Sequence, residues 1–188
     1  VYYFSTTYMA LDGFDPKVNG VDRLWNDLEM EDIWILSRLE SMKRAYNEEM
    51  AAYNLHKMTR ALEHFLLEEL SRWYVKLVKD RVWIEGDSPR KLSAYAVLWE
   101  CLTNVAKLLA PVCPHIAEEI YLNLDGEMPT VHMCDWPEVR EGWINPELEE
   151  QMRIIQSIVE AVLNARQRAG MKLRWPVRRI IVQVDDEK

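Results

Sequence analysis

The chain has 188 residues, of which 49 % are hydrophobic and 29 % charged, with only 6 glycines and a formal net charge of -8. A chain of this length can bury roughly 70 % of its unfolded surface, so the composition fits a folded, helix-rich domain and excludes disorder. The acidic total also excludes indiscriminate nucleic-acid binding, though it leaves local basic patches open.

No apolar run approaches the roughly 18 residues that cross a bilayer. The opening VYYFSTTYM lacks the charged region and cleavage pattern of a signal peptide. A cytosolic location with no membrane partner is the expectation. Cys101, Cys113 and Cys134 are odd in number and form no C-x-x-C, so reduced thiols are expected rather than a disulfide framework.

Residues 1–20 start on an aromatic run and break at Asp12-Gly13 and Asp15-Pro16, as a segment cut from something longer would. From Asp32 to Met50, Ile35, Leu39, Met42, Tyr46 and Met50 recur at three- and four-residue steps, which predicts a first helix. Asn54 can cap a second helix, with Met58, Leu62, Phe65, Leu70, Trp73 and Leu77 as its apolar stripe as far as Trp83. Glu85-Gly86-Asp87 stops it. Ser88-Pro89 then offers a cap with proline at the first helical position, followed by Leu92, Tyr95, Trp99, Leu102, Ala106 and Leu109. A short fourth helix, HIAEEIYLNL, fits between Pro114 and Asp125-Gly126.

Residues 125–145 have turn residues and no sustained period, so they predict a long ordered loop anchored by Trp136 and Trp143. Asn145-Pro146 starts a fifth helix with Glu147, Glu149 and Glu150 near its positive end. Its predicted buried stripe is Leu148, Met152, Ile155, Val159 and Val162, and Gly170 closes it. The tail VRRIIVQV, with Ile180, Val182 and Val184 on one face, predicts a short strand needing partners from elsewhere. The fold class is therefore mainly α, a helical bundle with a short β segment at the C-terminus.

Complete active-site signatures are missing from the sequence: it has no Gly-rich phosphate loop, no G-x-S-x-G and no H-E-x-x-H. Cys113/His115 and His132/Cys134 could supply four zinc ligands, but nothing local brings the pairs together, so no metal site is expected. Glu118 and Glu119 diverge on their helix and suit its N-terminus better than acid/base work. No catalytic residue is assigned.

What remains is basic and aromatic. Arg72, Lys76, Lys79 and Trp83 stand at steps of four, three and four, a ridge that suits phosphates and an unstacked base, or simply a solvated helix face. Between Ala161 and Val184 no acidic residue occurs, while Arg166, Arg168, Lys172, Arg174, Arg178 and Arg179 surround Trp175. Cations at a helix C-terminus explain Arg166 and Arg168 but not the four beyond Gly170.

At these residues a resemblance enters. LLAPVCPHIAEEIY at 108–121, VHMCDWPEV at 131–139 and SRWYVKLVKDRVW at 71–83 resemble elements of the helical anticodon-binding domain of class I aminoacyl-tRNA synthetases of the isoleucine/valine/leucine group. YMALDGFDP at 8–16, DIWILSRL at 32–39 and ARQRAGMKLRWPV at 165–177 are most similar to the isoleucyl-tRNA synthetases of archaeal and eukaryotic type. Two departures are visible: Asp80 sits within the basic element, and Trp175 stands where glutamine is common.

The resemblance implies a connector from the catalytic core over 1–20, a helical anticodon-binding domain over 21–170 and the start of a further module over 171–188. It implies an isoleucine tRNA anticodon stem-loop as partner, alongside the catalytic and C-terminal parts of the parent enzyme. No cofactor is expected in these residues, since the family's ATP-handling signatures do not occur here; ATP and Mg²⁺ would belong to the parent core. The residues implied for tRNA are Arg72, Lys76, Lys79, Arg81, Trp83, Arg166, Arg168, Lys172, Arg174 and Trp175, with Arg81 included only because it matches the family element.

Overall fold

The computed structural model describes residues 1–83, 86, 88–124, 126, 128–172 and 174–183. They fall into two compact units, Val1–Asn145 and Pro146–Lys188. The first is a helical bundle. Its elements are α1 (Tyr2–Leu11), α2 (Met30–Ala51), α3 (Leu55–His64), a π-helical stretch (Phe65–Tyr74) running directly into α4 (Val75–Val82), α5 (Pro89–Leu109) and α6 (Pro114–Asn123). The second unit contains α7 (Pro146–Arg168) and the tail. The mainly α, bundled fold expected from periodicity is what forms.

Helix α2 buries the expected face, with Ile35, Leu39 and Tyr46 fully enclosed, while Met50 is exposed at its end. Its N-terminus is a capping box: the Glu29 side chain accepts from the third helical backbone N–H and Asp32 Oδ2 accepts from the Glu29 N–H at 2.9 Å. Helix α5 departs from the single-stripe expectation. It is buried on nearly every side between Ala94 and Leu108, which makes it the central helix. Small residues explain this, because Ser93, Ala94, Ala96, Cys101 and Ala106 let neighbouring helices approach from several directions. Ser88 caps it as expected, its hydroxyl accepting from the Lys91 N–H at 3.2 Å with Pro89 at the first position. Asn54 does not cap α3 by its side chain, which instead donates to Glu49 at 2.8 Å.

The second helix differs from its prediction in register. The stripe assumed Trp73 and Leu77 inside, yet Leu77 is exposed and the enclosed residues are Met58, Leu62, Phe65, Leu70, Tyr74, Val78 and Val82. The π turns after His64 are the cause: the wider winding rotates everything downstream, so the step of five from Phe65 to Leu70 stays on the core side.

Helix α1, not expected in residues 1–20, is tied down at its end. Lys91 Nζ lies 2.6 Å from Asp12 Oδ2, and the Tyr95 hydroxyl donates to the same carboxylate. Those two bonds, Lys91 first and Tyr95 next, hold the Asp12 carboxyl below its ordinary 3.8 against the opposing effect of burial. A depressed folded-state pKa adds stability that is present above the unfolded value and is lost as pH falls through the folded one. Asp12→Asn is thus expected to cost stability at neutral pH and to converge on the parent chain in acid, which urea midpoints at a series of pH values will check.

The 125–145 loop is ordered over its described residues and held by the tryptophans the sequence pointed to. Trp136 Nε1–H donates to Asn47 Oδ1 at 2.8 Å, and the Trp143 ring packs tilted against Trp25 with centroids 5.2 Å apart, the Arg140 guanidinium lying 4.2 Å from the Trp143 centroid. Beneath them, Lys43 Nζ donates to the Glu138 carbonyl at 2.7 Å, and the Arg140 N–H donates to Glu40 at 2.7 Å. Glu118 does not serve its own helix start: it accepts from the Thr130 hydroxyl at 2.8 Å and the Val131 N–H at 2.9 Å, pinning the loop to α6.

In the second unit the predicted α7 stripe is only partly covered. Leu148 is buried, but Ile155 and Val159 are exposed. Gly170, at φ 65°, ends α7 in a Schellman motif, with Met171 N–H bonded to Arg166 O and Gly170 N–H to Gln167 O, each 3.0 Å. The short β segment does not form among the described residues 177–183, and Val184 lies outside them. An apolar alternation makes a strand only where a neighbour supplies the ladder.

Candidate nucleic-acid interface

The first basic cluster is built on the outward face of the π stretch and α4. Because the helix is fixed inward by Tyr74, Val78 and Val82, the residues two and three positions away from them point to solvent: Arg72, Lys76 and Lys79 are all exposed. Arg72 lies on the π turns and pairs with Glu68 at 2.7 Å, an exposed bond that competes weakly with any other anion. Lys76 makes no ion pair among the described residues. Lys79 Nζ sits 4.1 Å from the centroid of the Trp83 ring, a cation–π contact at a site where Trp83 remains 56 % exposed. The Trp83 indole N–H donates to the Tyr8 hydroxyl at 2.7 Å.

Arg81 does not belong to this surface. It is 7 % exposed and its guanidinium faces the core, with Nη1 and Nη2 bidentate on Asp32 at 3.1 and 2.8 Å. Nη1 also donates to Glu31 at 3.0 Å, while Nη2 donates to the Arg90 carbonyl at 2.7 Å and the Ser93 hydroxyl at 2.8 Å. Burial opposes the charge, but the bonds and field of Asp32 outweigh it and raise the Arg81 pKa. The Tyr74 hydroxyl donates to Asp32 at 2.6 Å, and burial first, then Asp32, push its pKa well above 10, so it stays a donor. A guanidinium committed to this many internal acceptors has no donors to offer a phosphate. Arg81 clamps the end of α4 onto α2 and α5 and thereby holds Lys79 and Trp83 on the opposite face.

The second cluster lies in the other compact unit. Arg166 turns back on its own chain: Nη2 donates to the carbonyls of Lys172 and Trp175, both at 2.7 Å. It folds the tail after Gly170, and the groups it leaves outward are Arg168, Lys172, Arg174 and Trp175, the last 55 % exposed. Arg178 and Arg179 are exposed as well, within the acid-free stretch from Ala161 to Val184. Sequence reasoning missed Tyr8, because a lone tyrosine 75 positions before its partner carries no local signal. It also missed Asp32 as the counter-charge of Arg81.

The first unit is a helical bundle with a basic outer face on α4, and the second unit carries a basic turn after α7. Residues 32–182 match the family described as anticodon-binding domain of tRNA ligase, and the chain belongs to that family. Its relatives include the isoleucine–tRNA ligases of Methanosarcina acetivorans, 50 % identical over 192 residues, Pyrococcus abyssi, 49 % over 190, and Methanopyrus kandleri, 45 % over 190. Each comparison covers 100 % of this chain and 18 % of the relative, so the chain spans under a fifth of their length. Among the described residues no helix is long and apolar enough to cross a membrane.

Proposed function

We propose that the chain is the part of an isoleucine–tRNA ligase that grips the anticodon stem-loop of isoleucine tRNA, so that the acceptor end reaches the remainder of the enzyme. ATP, Mg²⁺ and the aminoacylation chemistry fall to residues outside this chain, and a cytosolic location accompanies the role. The carrying observation is the exposed row Arg72, Lys76 and Lys79 ending on a half-open Trp83, in a family defined by anticodon binding. Cations on such a row take phosphates and set register, while indole faces accept splayed bases whatever their identity. Arg168, Lys172, Arg174 and Trp175 supply the same chemistry from the second unit. Arg166 contributes by shaping that turn.

A competing reading is favoured by one feature of the second unit. Ile154, Ile155, Val159 and Leu163 on α7 and Ile180 and Ile181 in the tail are exposed, and the two segments line an apolar cleft of about 750 Å³. In that reading the second unit docks on another domain of the same protein and touches no RNA.

Salt titration separates the two. About four phosphate contacts give a slope of log K against log salt near -3 for the anticodon hairpin, and docking alone gives no RNA binding at any salt. Trp83→Ala is expected to cost about 1–3 kcal/mol of hairpin affinity, the worth of one stacked base, with little change in that slope. Isoleucine tRNA should outcompete valine and leucine tRNAs in the same assay. Equal binding of all three would remove the amino-acid assignment while leaving the anticodon role.

A further inference from the structure

One contact ties the ridge to α1. An exposed tryptophan ordinarily leaves its N–H to water, yet Trp83 gives it to Tyr8 at 2.7 Å, on α1. Two constraints then act on one indole. The in-plane bond to Tyr8 sets the ring's rotation, and Lys79 at 4.1 Å covers one face. More than half the side chain stays open, at 56 % exposure. The partner is itself held: the Phe4 ring packs 5.1 Å from that of Tyr8, and α1 ends at Asp12, which binds Lys91 and Tyr95 on α5. The Tyr8 hydroxyl is therefore a fixed point on the bundle rather than a passing acceptor.

We propose that Tyr8 is a positioning residue for RNA binding: it locks Trp83 in the pose that receives an unstacked base, and acts only through Trp83. This rests on the reading that the ridge binds an anticodon hairpin. A ring already held in its bound orientation loses less rotamer freedom when a base stacks on it, so the lock raises affinity without adding a contact to RNA. Because Tyr8 adds no charge, its effect is independent of salt.

The test uses the full-length protein and an RNA hairpin carrying the anticodon stem-loop of isoleucine tRNA. Tyr8→Phe removes the acceptor oxygen and nothing else. Hairpin binding is expected to weaken about three- to tenfold, the range of one lost hydrogen bond, with an unchanged salt slope. The Trp83 indole N–H resonance, identified by its disappearance in Trp83→Phe, is expected to shift in the free Tyr8→Phe protein. In the Trp83→Phe background, Tyr8→Phe should cause no further loss. Parent-like affinity for Tyr8→Phe, or the same loss with Trp83 already replaced, overturns the proposal while Trp83→Ala still weakens binding. If Trp83→Ala and Lys76→Ala both bind as the parent does, the ridge reading fails and the lock fails with it.

Discussion

Arg81→Met is expected to destabilise the first unit by about 3–5 kcal/mol, the cost of leaving a buried charge without its partner. Asp32 is fully buried, and Arg81 supplies two of its hydrogen bonds and its counter-charge. Methionine fills most of the volume, so packing loss is the smaller part. The Tyr74 hydroxyl still donates to Asp32, which keeps the loss below that of a wholly orphaned carboxylate. Glu29, Glu31 and Asp32 would then face one another without the cation that now lies 3.7, 3.0 and 2.8 Å from them. Against a typical domain stability of about 5–15 kcal/mol this is a large fraction. The double change Asp32→Leu with Arg81→Met should recover part of it, since an apolar pair removes the uncompensated charge while the Tyr74 hydroxyl and the Glu29 N–H still lose their acceptor. Urea unfolding of the singles and the double gives the coupling energy. An Arg81 whose role was to touch phosphate would behave differently: hairpin affinity would drop while the urea midpoint stayed put.

The placing of Leu77 in the core stripe has a local origin, whereas Arg81 stood among the tRNA residues only through its match to the family element. A regular 3.6-residue winding was carried through residues 65–74, where the helix is π. Registered instead on Tyr74, the same sequence puts Val78, Arg81 and Val82 on the inner face at steps of four and three, and the buried arginine becomes legible. The only local hint was the five-residue gap between Phe65 and Leu70. Helices α5 and α6 were readable because their caps and prolines are local chemistry, Ser88 with Pro89 and Pro114, while α2 was readable from its apolar steps alone and its Glu29–Asp32 capping box was missed. What a stripe faces is not local. Periodicity identified the apolar side of α7 and of residues 177–183, but only a neighbour decides whether such a side is covered or paired. The Trp136 and Trp143 anchors lay between these cases, since large aromatics in a polar loop have few other places to go.

Glu40→Leu is expected to release the 125–145 loop and cost about 3 kcal/mol, near the lower end for a broken buried pair. Glu40 is fully enclosed and Lys43 nearly so, with Nζ 2.7 Å from the carboxylate. The other carboxylate oxygen takes the Arg140 N–H, and Lys43 reaches on to the Glu138 carbonyl, so one ion pair on α2 satisfies two backbone groups of the loop. Other anchors remain: Trp136 on Asn47, Asn145 N–H on Ser37 at 2.8 Å, and Glu141 on Arg44. Each is worth only about 0.5–1.5 kcal/mol, less than the penalty of a dry ammonium left without its counter-charge and held by the Glu138 carbonyl alone. The cheaper response is for the loop to lift until water reaches Lys43, which caps the measured loss and makes it local. Amide exchange should show it: the Arg140 N–H loses protection by several orders of magnitude, while core amides of α5 slow or quicken only with the global change. Restoring an apolar pair with Lys43→Met in the same chain should return α2 stability but not the Arg140 protection, because no acceptor is left for that N–H. If Arg140 stays protected in Glu40→Leu, the aromatic anchors alone hold the loop and the buried pair is dispensable to it.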